Sequence, residues 1–321
     1  MRLSMAATRS PEPQQSTPTT REERTSEIVP VSTEKASPLY LSVAGATDIG
    51  LVREKNEDAF IVADLTGGTL LDGQKHQRFD VGERGVLLAV SDGMGGAHAG
   101  EVASALVVET LTRAMRKAPS DQPRDALMDD AIQRAHRAVW DESKREGKKM
   151  GATLTAVFVH NGDAYIAEVG DSRAYLIRKG QIKQLTHDQS MVQMLLDSGV
   201  IKPEDAEHSP IRNVILQAMG NQPDVKIALA KLALRDRDCI VLCSDGLTSL
   251  ANDEEIRDVV LESGRPEVAT QALVDLANQR GGKDNTTVIV VGVGGSLPGP
   301  ADSFGDTFEV LKEYDAPVRK K

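Results

Sequence analysis

The sequence predicts an α+β protein of layered architecture, and three observations carry that reading. Strand-like and helix-like segments come in blocks along the chain. Amphipathic helical segments come in two pairs, one on each side of a strand-rich stretch. The short β-type runs between them are joined by tight turns, as in antiparallel hairpins. A doubly wound parallel sheet would instead alternate strand and helix, so that class is not predicted.

Taken in order, residues 1–38 hold five of the 14 prolines and 12 Ser/Thr but no aromatic residue, and they show no period. They read as a disordered tail. Residues 41–295 read as one large domain. A strand over 59–63 precedes a continuous apolar run at 86–90. Residues 99–117 set Val102, Leu106, Val107, Leu111 and Ala114 on one helical stripe, and 123–146 do the same with Leu127, Ala131, Ala135, Ala138 and Val139. Runs at 152–160, 163–169, 173–178 and 181–185 are linked by Asn-Gly, Gly-Asp and Lys-Gly turns, which predicts an antiparallel meander. Helices over 253–262 and 266–279 lead to a last strand, 285–293. The Ser-Leu-Pro-Gly-Pro stretch at 296–300 then opens a flexible C-terminal tail, 296–321, with a basic end at Arg319-Lys320-Lys321.

Composition narrows the function. Hydrophobic residues at 40% and charged residues at 27% describe a chain with a real core. Apolar runs such as 288–293 fall far short of the ~18–20 residues of a membrane span, and Met1–Ser10 lacks a signal-peptide core. A net charge of −10 argues against nucleic-acid binding. Two cysteines, Cys239 and Cys243, fit a reducing compartment and exclude a disulfide scaffold. Six scattered histidines offer little to zinc or haem. The expectation is a cytoplasmic monomer without a membrane or nucleic-acid partner.

Two runs, 86–93 and 239–246, are buried-strand sequences that end in Ser-Asp-Gly. A lone Asp-Gly is an ordinary turn, which is the reading for Asp72-Gly73. Two at matched strand ends point to a shared site. Glu57 and Asp58 lead into one strand and Asp284 into another, so five acidic residues (Glu57, Asp58, Asp92, Asp245, Asp284) stand at strand boundaries with almost no His or Cys nearby. All-oxygen ligands select Mg²⁺ or Mn²⁺. This many carboxylates suit a pair of ions ~3.5–4 Å apart. Gly93, lacking a Cβ, lets the backbone approach an ion and offer its carbonyl. Arg53 is placed to meet a dianion through a bidentate guanidinium contact, or else forms a surface ion pair with Glu57.

Six segments carry a resemblance: Arg53-x-x-Asn-Glu-Asp58, Ser91-Asp-Gly-Met-Gly-Gly96, Gly151-Ala-Thr-Leu-Thr155, Val169-Gly-Asp-Ser-Arg173, Ser244-Asp-Gly-Leu247 and Asp284-Asn-Thr-Thr287. In order and spacing the chain resembles the bacterial type-2C, metal-dependent serine/threonine protein phosphatases (PPM family). The resemblance implies a four-layer αββα sandwich, two antiparallel sheets flanked by helix pairs. It implies two Mn²⁺ or Mg²⁺ ions held by Glu57 (through water), Asp58, Asp92, the Gly93 carbonyl, Asp245 and Asp284. It makes Arg53, Asp58 and Asp92 catalytic: a metal-bridging hydroxide attacks phosphorus in line, without a phospho-enzyme, while Arg53 orients the phosphate. The implied substrates are phosphoproteins, a Ser/Thr protein kinase among them. Segment 189–221, with Met191, Met194, Leu195, Leu196 and His208-Ser-Pro-Ile-Arg-Asn213, corresponds to a flap that packs partly on the core and partly shapes substrate choice.

The chain departs from the family pattern at several positions. Ala97, followed by His98, stands where relatives often have histidine, and Met94 where the eukaryotic branch has one, which leaves leaving-group protonation to a metal-bound water. Lys148-Lys149 and Ser249 replace acidic positions used for a third metal, so third-metal binding is expected to be weak or absent. Other phosphoryl chemistries fail: six positions beyond Cys239 and Cys243 stand Asp245 and Ser249, not arginine; Asp236-Arg-Asp238 precedes its strand; and no P-loop occurs. The remaining rivals are a non-catalytic phosphoprotein-binding domain and a hydrolase of small phosphate esters.

Overall fold

The computed structural model describes residues 38–71, 76–95, 98–206, 209–212, 214–301 and 303–314. Apart from Pro38, the tail expected over 1–38 lies outside them, as do Asp72-Gly73, Gly96, Ala97, His208 and Asn213.

Four strands come first: β1 (Tyr40–Asp48), β2 (Asp58–Asp64), β3 (Gln77–Asp80) and β4 (Val86–Gly95). Helices α1 (Ala99–Lys117) and α2 (Arg124–Glu146) follow. Next are β5 (Met150–Ala152), β6 (Leu154–His160), β7 (Asp163–Val169), β8 (Arg173–Arg178) and β9 (Gln181–Gln184). Short helices α3 (Met191–Asp197) and α4 (Pro203–Ala206) lead to β10 (Ala228–Ala233) and β11 (Cys239–Cys243). The chain closes with α5 (Asp245–Thr248), α6 (Asp253–Ser263), α7 (Pro266–Gln279), β12 (Thr286–Gly294) and β13 (Phe308–Lys312).

One sheet runs β3-β1-β12-β11-β8-β9 and the other β13-β10-β7-β6-β4-β2, with β5 added to β4; every pairing is antiparallel. Strand alternation sorts the apolar side chains into three cores. On β4, Val86, Leu88 and Val90 face the other sheet, while Leu87 and Ala89 face α1 and α2. On β12, Ile289, Val291 and Val293 point between the sheets, and Val288 and Val290 pack under α6 and α7. The order is therefore helices, sheet, sheet, helices: an αββα sandwich.

Three expectations are corrected. The four-strand meander is two hairpins, because β6–β7 lie in one sheet and β8–β9 in the other. The chain changes sheets at Gly170, whose φ of +111° leaves β7 where a hairpin turn was expected. Next, the buried stripe of α1 is Ala99, Ala103, Val107 and Leu111, and Val102 is 42% exposed. Gly93 and Gly100 set that rotation: a Cβ on Gly93 would collide with the Gly100 carbonyl, so this close approach fixes which face meets β4. Finally, 285–293 is not the last strand and 296–321 is not all flexible tail, since Phe308–Lys312 pairs with β10. Phe308 joins the inter-sheet core while Leu311 packs toward α2, the alternation of a half-covered edge strand.

Candidate active site

Both sheets deliver carboxylates to one end of the sandwich. Asp58 opens β2 directly opposite Asp92 on β4. Asp245 follows the end of β11, and Asp284 precedes β12. All four are partly exposed as residues, yet Asp58 Oδ1 and Asp245 Oδ1 are buried and without a hydrogen-bond partner.

The electrostatics follow from that crowding. Burial raises the Asp92 carboxyl well above its usual range, and Asp58 and Asp245 push it further. Burial likewise raises Asp58, against the pull of its hydrogen bonds to Ser244 and Thr287. Asp245 is raised by burial and by Asp284. Glu57 rises for the same leading reason, with Arg53 opposing. Such clustering of like charges in a low dielectric is costly without a cation. Among the described residues no three or more carboxylates, histidines or cysteines are drawn into a finished metal cage. The mutual effect on their pKa values nevertheless places these groups within electrostatic reach of one another, and two orphaned buried oxygens offer hard-donor positions. The donor set fits Mg²⁺ or Mn²⁺.

Arg53 stands beside this cluster, where its partner is Asp284 (Nη2–Oδ2 2.6 Å) and not Glu57. Burial works most strongly against the guanidinium charge, but the bond to Asp284 and the negative charges of Asp284, Asp92 and Glu57 together outweigh it and raise its pKa. Gly93 packs tightly against backbone: its N–H donates to the Glu57 carbonyl (3.0 Å), and a Cβ there would strike both Gly100 and Glu57 backbone.

The remaining motif residues hold the carboxylates in place. Thr153 accepts from the Asp92 N–H (2.9 Å) and donates its own N–H to the Asp92 carbonyl (2.8 Å). Its hydroxyl meets that of Ser172 at 2.8 Å, which ties Gly-Ala-Thr to Gly-Asp-Ser-Arg. Ser244 Oγ donates to Asp58 Oδ2 (2.7 Å) and accepts from the Thr287 N–H (2.9 Å), joining the two sheets. Asn285 accepts from the Glu57 N–H (2.8 Å) and donates to the carbonyls of Ile49 and Lys55. The sequence quoted these residues as motif members without giving them a role. Their partners lie 19 to 236 positions away, beyond any local pattern. Asp171 was also missed: its Oδ1 is buried and unpartnered, and burial and Asp245 both raise it.

A cleft of ≈ 590 Å³ adjoins Asp245, with Asp171, Arg173 and Asp188 on one wall and Val192 and Leu196 of α3 on the other. Arg173 grips Asp188 through both Nε (2.8 Å) and Nη2 (2.7 Å). The segment expected to be a flap thus lines the cleft, and α3 is half-buried from Met191 to Leu196. Ser249 also lines it, whereas Lys148 and Lys149 are exposed ahead of β5. His98 meets Lys55 (Nζ–Nδ1 2.9 Å) and Glu101 (Nδ1–Oε2 3.5 Å). Burial pushes both cysteine thiols up to about 12, so neither is a nucleophile. Asp238 of the Asp-Arg-Asp run is spent in a buried ion pair with Arg178 (2.7 Å). Among the described residues no helix is long and apolar enough to cross a membrane.

Comparison with known proteins gives a consistent picture. Residues 70–278 match the family model described as protein phosphatase 2C. The chain is 32% identical over 250 residues to the serine/threonine phosphatase stp of Listeria welshimeri, covering 76% of this chain and 93% of that protein. It is 37% identical over 262 residues to the serine/threonine protein phosphatase PstP of Mycobacterium tuberculosis, covering 79% of this chain but 45% of PstP. The crystal structure of the PstP catalytic domain in complex with two manganese ions superposes with a TM-score of 0.66 at 34% identity, over 80% of this chain and 99% of that one.

Proposed function

This chain belongs to the protein phosphatase 2C family, and from that premise we propose that it hydrolyses phosphoserine and phosphothreonine in proteins with two Mn²⁺ or Mg²⁺ ions. The observation that carries the reading is the convergence of Asp58, Asp92, Asp245 and Asp284 from both sheets, with two of their buried oxygens left without partners. Asp58, Asp92, Asp245, Asp284 and the Gly93 carbonyl would hold the ions directly, and Glu57 through water. Ions bound there would provide Lewis-acid activation of water for in-line attack and positive charge against the developing negative charge, chemistry that needs no phospho-enzyme.

The protein's own groups do the rest. Thr153 and Ser244 keep Asp92 and Asp58 in register, so the ligand oxygens need not reorganise. Arg53 orients the phosphate; its guanidinium keeps N–H groups beyond the one given to Asp284. The cleft beside Asp245, lined by Asp171, Arg173, Asp188 and residues of α3, offers space next to the carboxylates for residues flanking a phosphorylated side chain.

The test is phosphate release from a phosphothreonine peptide by the wild type with Mn²⁺, by the wild type with EDTA, and by Asp245→Ala with Mn²⁺. Release is expected in the first case alone. A folded protein that releases nothing with either Mn²⁺ or Mg²⁺ would overturn the reading in favour of a phosphoprotein-binding domain.

A further inference from the structure

Away from the strand-end aspartates, the two sheets part company at one edge. The first sheet stops at β9, while the second continues from β7 through β10 to β13. The inner faces of β10 and β13 therefore run past their cover. The gap is a cavity of ≈ 520 Å³, inside the ~300–1,000 Å³ range of small-molecule sites. Register fixes its lining: Ile166, Ala230 and Val310 lie in line across β7, β10 and β13, so Ala228 and Glu168 share their face.

Glu168 is the anomaly on this apolar wall. It is 3% exposed; its Oε2 accepts from the His187 N–H (2.8 Å), and its Oε1 is buried with no partner. The cations nearby are already taken. Arg173 is gripped by Asp188, His187 Nε2 pairs with Asp197 Oδ2 (2.8 Å), and Lys312 pairs with Asp129. Asp197 and Glu313 add further acidic groups to the lining. A carboxylate deep in an apolar wall, under acidic neighbours, demands either a proton or a cation. Burial accordingly raises its pKa well above the carboxylate range, with Asp188 and Asp171 adding to the rise.

We propose that this cavity binds a small organic cation, with its apolar body between β10 and β13 and a terminal ammonium or amidinium pairing with the carboxyl of Glu168, which lines the cavity. Charge-assisted pairing to an orphaned acceptor supplies the specificity, and the apolar walls supply the area. The site is independent of the phosphatase reading and shares no residue with the proposed metal ligands.

Benzamidine is a suitable probe, titrated calorimetrically into the full chain, with neutral benzamide as its isostere. Saturable binding of benzamidine is expected, weakened about tenfold or more by Glu168→Gln and by the change to benzamide. Ala230→Phe, which fills the cavity from β10, should abolish binding, and Asp245→Ala should leave it unchanged. Should Glu168→Gln fail to fold, Ala230→Phe and benzamide carry the test. Absence of saturable binding, equal affinity for benzamide, survival of binding in Ala230→Phe, or its loss in Asp245→Ala would each overturn the proposal.

Discussion

Ser244 illustrates how single residues govern the site from behind its carboxylates. It is fully buried, and its hydroxyl touches both Asp58 on one sheet and the Thr287 backbone on the other. Ser244→Ala removes a donor from Asp58 and leaves the Thr287 N–H without that acceptor, a loss of ~1–3 kcal/mol in stability. Because it also frees Asp58 to turn, Mn²⁺ affinity should fall about 10- to 100-fold. Thermal unfolding in EDTA reads the first effect and the Mn²⁺ dependence of phosphate release the second. Unchanged Mn²⁺ dependence would mean that Asp58 needs no such anchor. At this scale the carboxylates were legible in the sequence because acidic residues at the ends of apolar strands are unusual in themselves. Ser244, Thr153 and Asn285 were not, because a hydroxyl or amide acquires its role only from a partner that folding brings near.

Among the elements, α2 shows how a helix is fastened as well as packed. Its apolar face buries Leu127, Ala131, Ile132, Ala135 and Val139, in line with the stripe read from the sequence. His136 adds a polar clamp: its Nδ1 accepts from the Gly220 N–H (3.0 Å), and its Nε2 donates to the Pro223 carbonyl (3.2 Å). The donor at Gly220 requires an unprotonated Nδ1, so the ring is neutral. Burial holds its pKa below 6.5, against the pull of the carbonyl. The unfolded chain therefore takes up the proton first. This contribution to stability is complete above pH 6.5 and is lost as pH falls from there toward the lowered folded value. His136→Gln should flatten the difference in melting temperature between about pH 7.5 and pH 5 relative to wild type; an unaltered slope would remove His136 as its source. Helix positions were legible because a 3.6-residue period persists over many turns. The break between β7 and β8 was hidden, since a glycine turn that crosses sheets carries the same local residues as one that closes a hairpin. Strand β13 was hidden too: only five residues long and flanked by polar sequence, it is a strand because β10 offers an edge.

At the scale of the whole molecule, the acidic site is also a joint. Asp58 and Asp92 belong to one sheet, and Asp245 and Asp284 adjoin strands of the other, so repulsion among them pushes the sandwich open at that end. A divalent ion held by the proposed ligands would reverse the sign of that interaction and tie the sheets together. Ion binding at ~100 times its Kd adds about 2.7 kcal/mol. For a domain of this size each kcal/mol shifts Tm by ~2–4 °C, so Mn²⁺ should raise Tm by about 5–10 °C and EDTA should reverse it. Asp245→Ala separates this from general ionic screening, because it acts in opposite directions with and without the ion. In EDTA it removes one of the crowded charges and its orphaned buried oxygen, so Tm should hold or rise. In Mn²⁺ it removes a proposed ligand, so most of the ion's stabilisation should vanish. Calorimetry of the two proteins in the two buffers reads all four values. An equal Mn²⁺ shift in both proteins would place the ion elsewhere, and a fall in EDTA alone would make Asp245 a structural residue rather than a strained one.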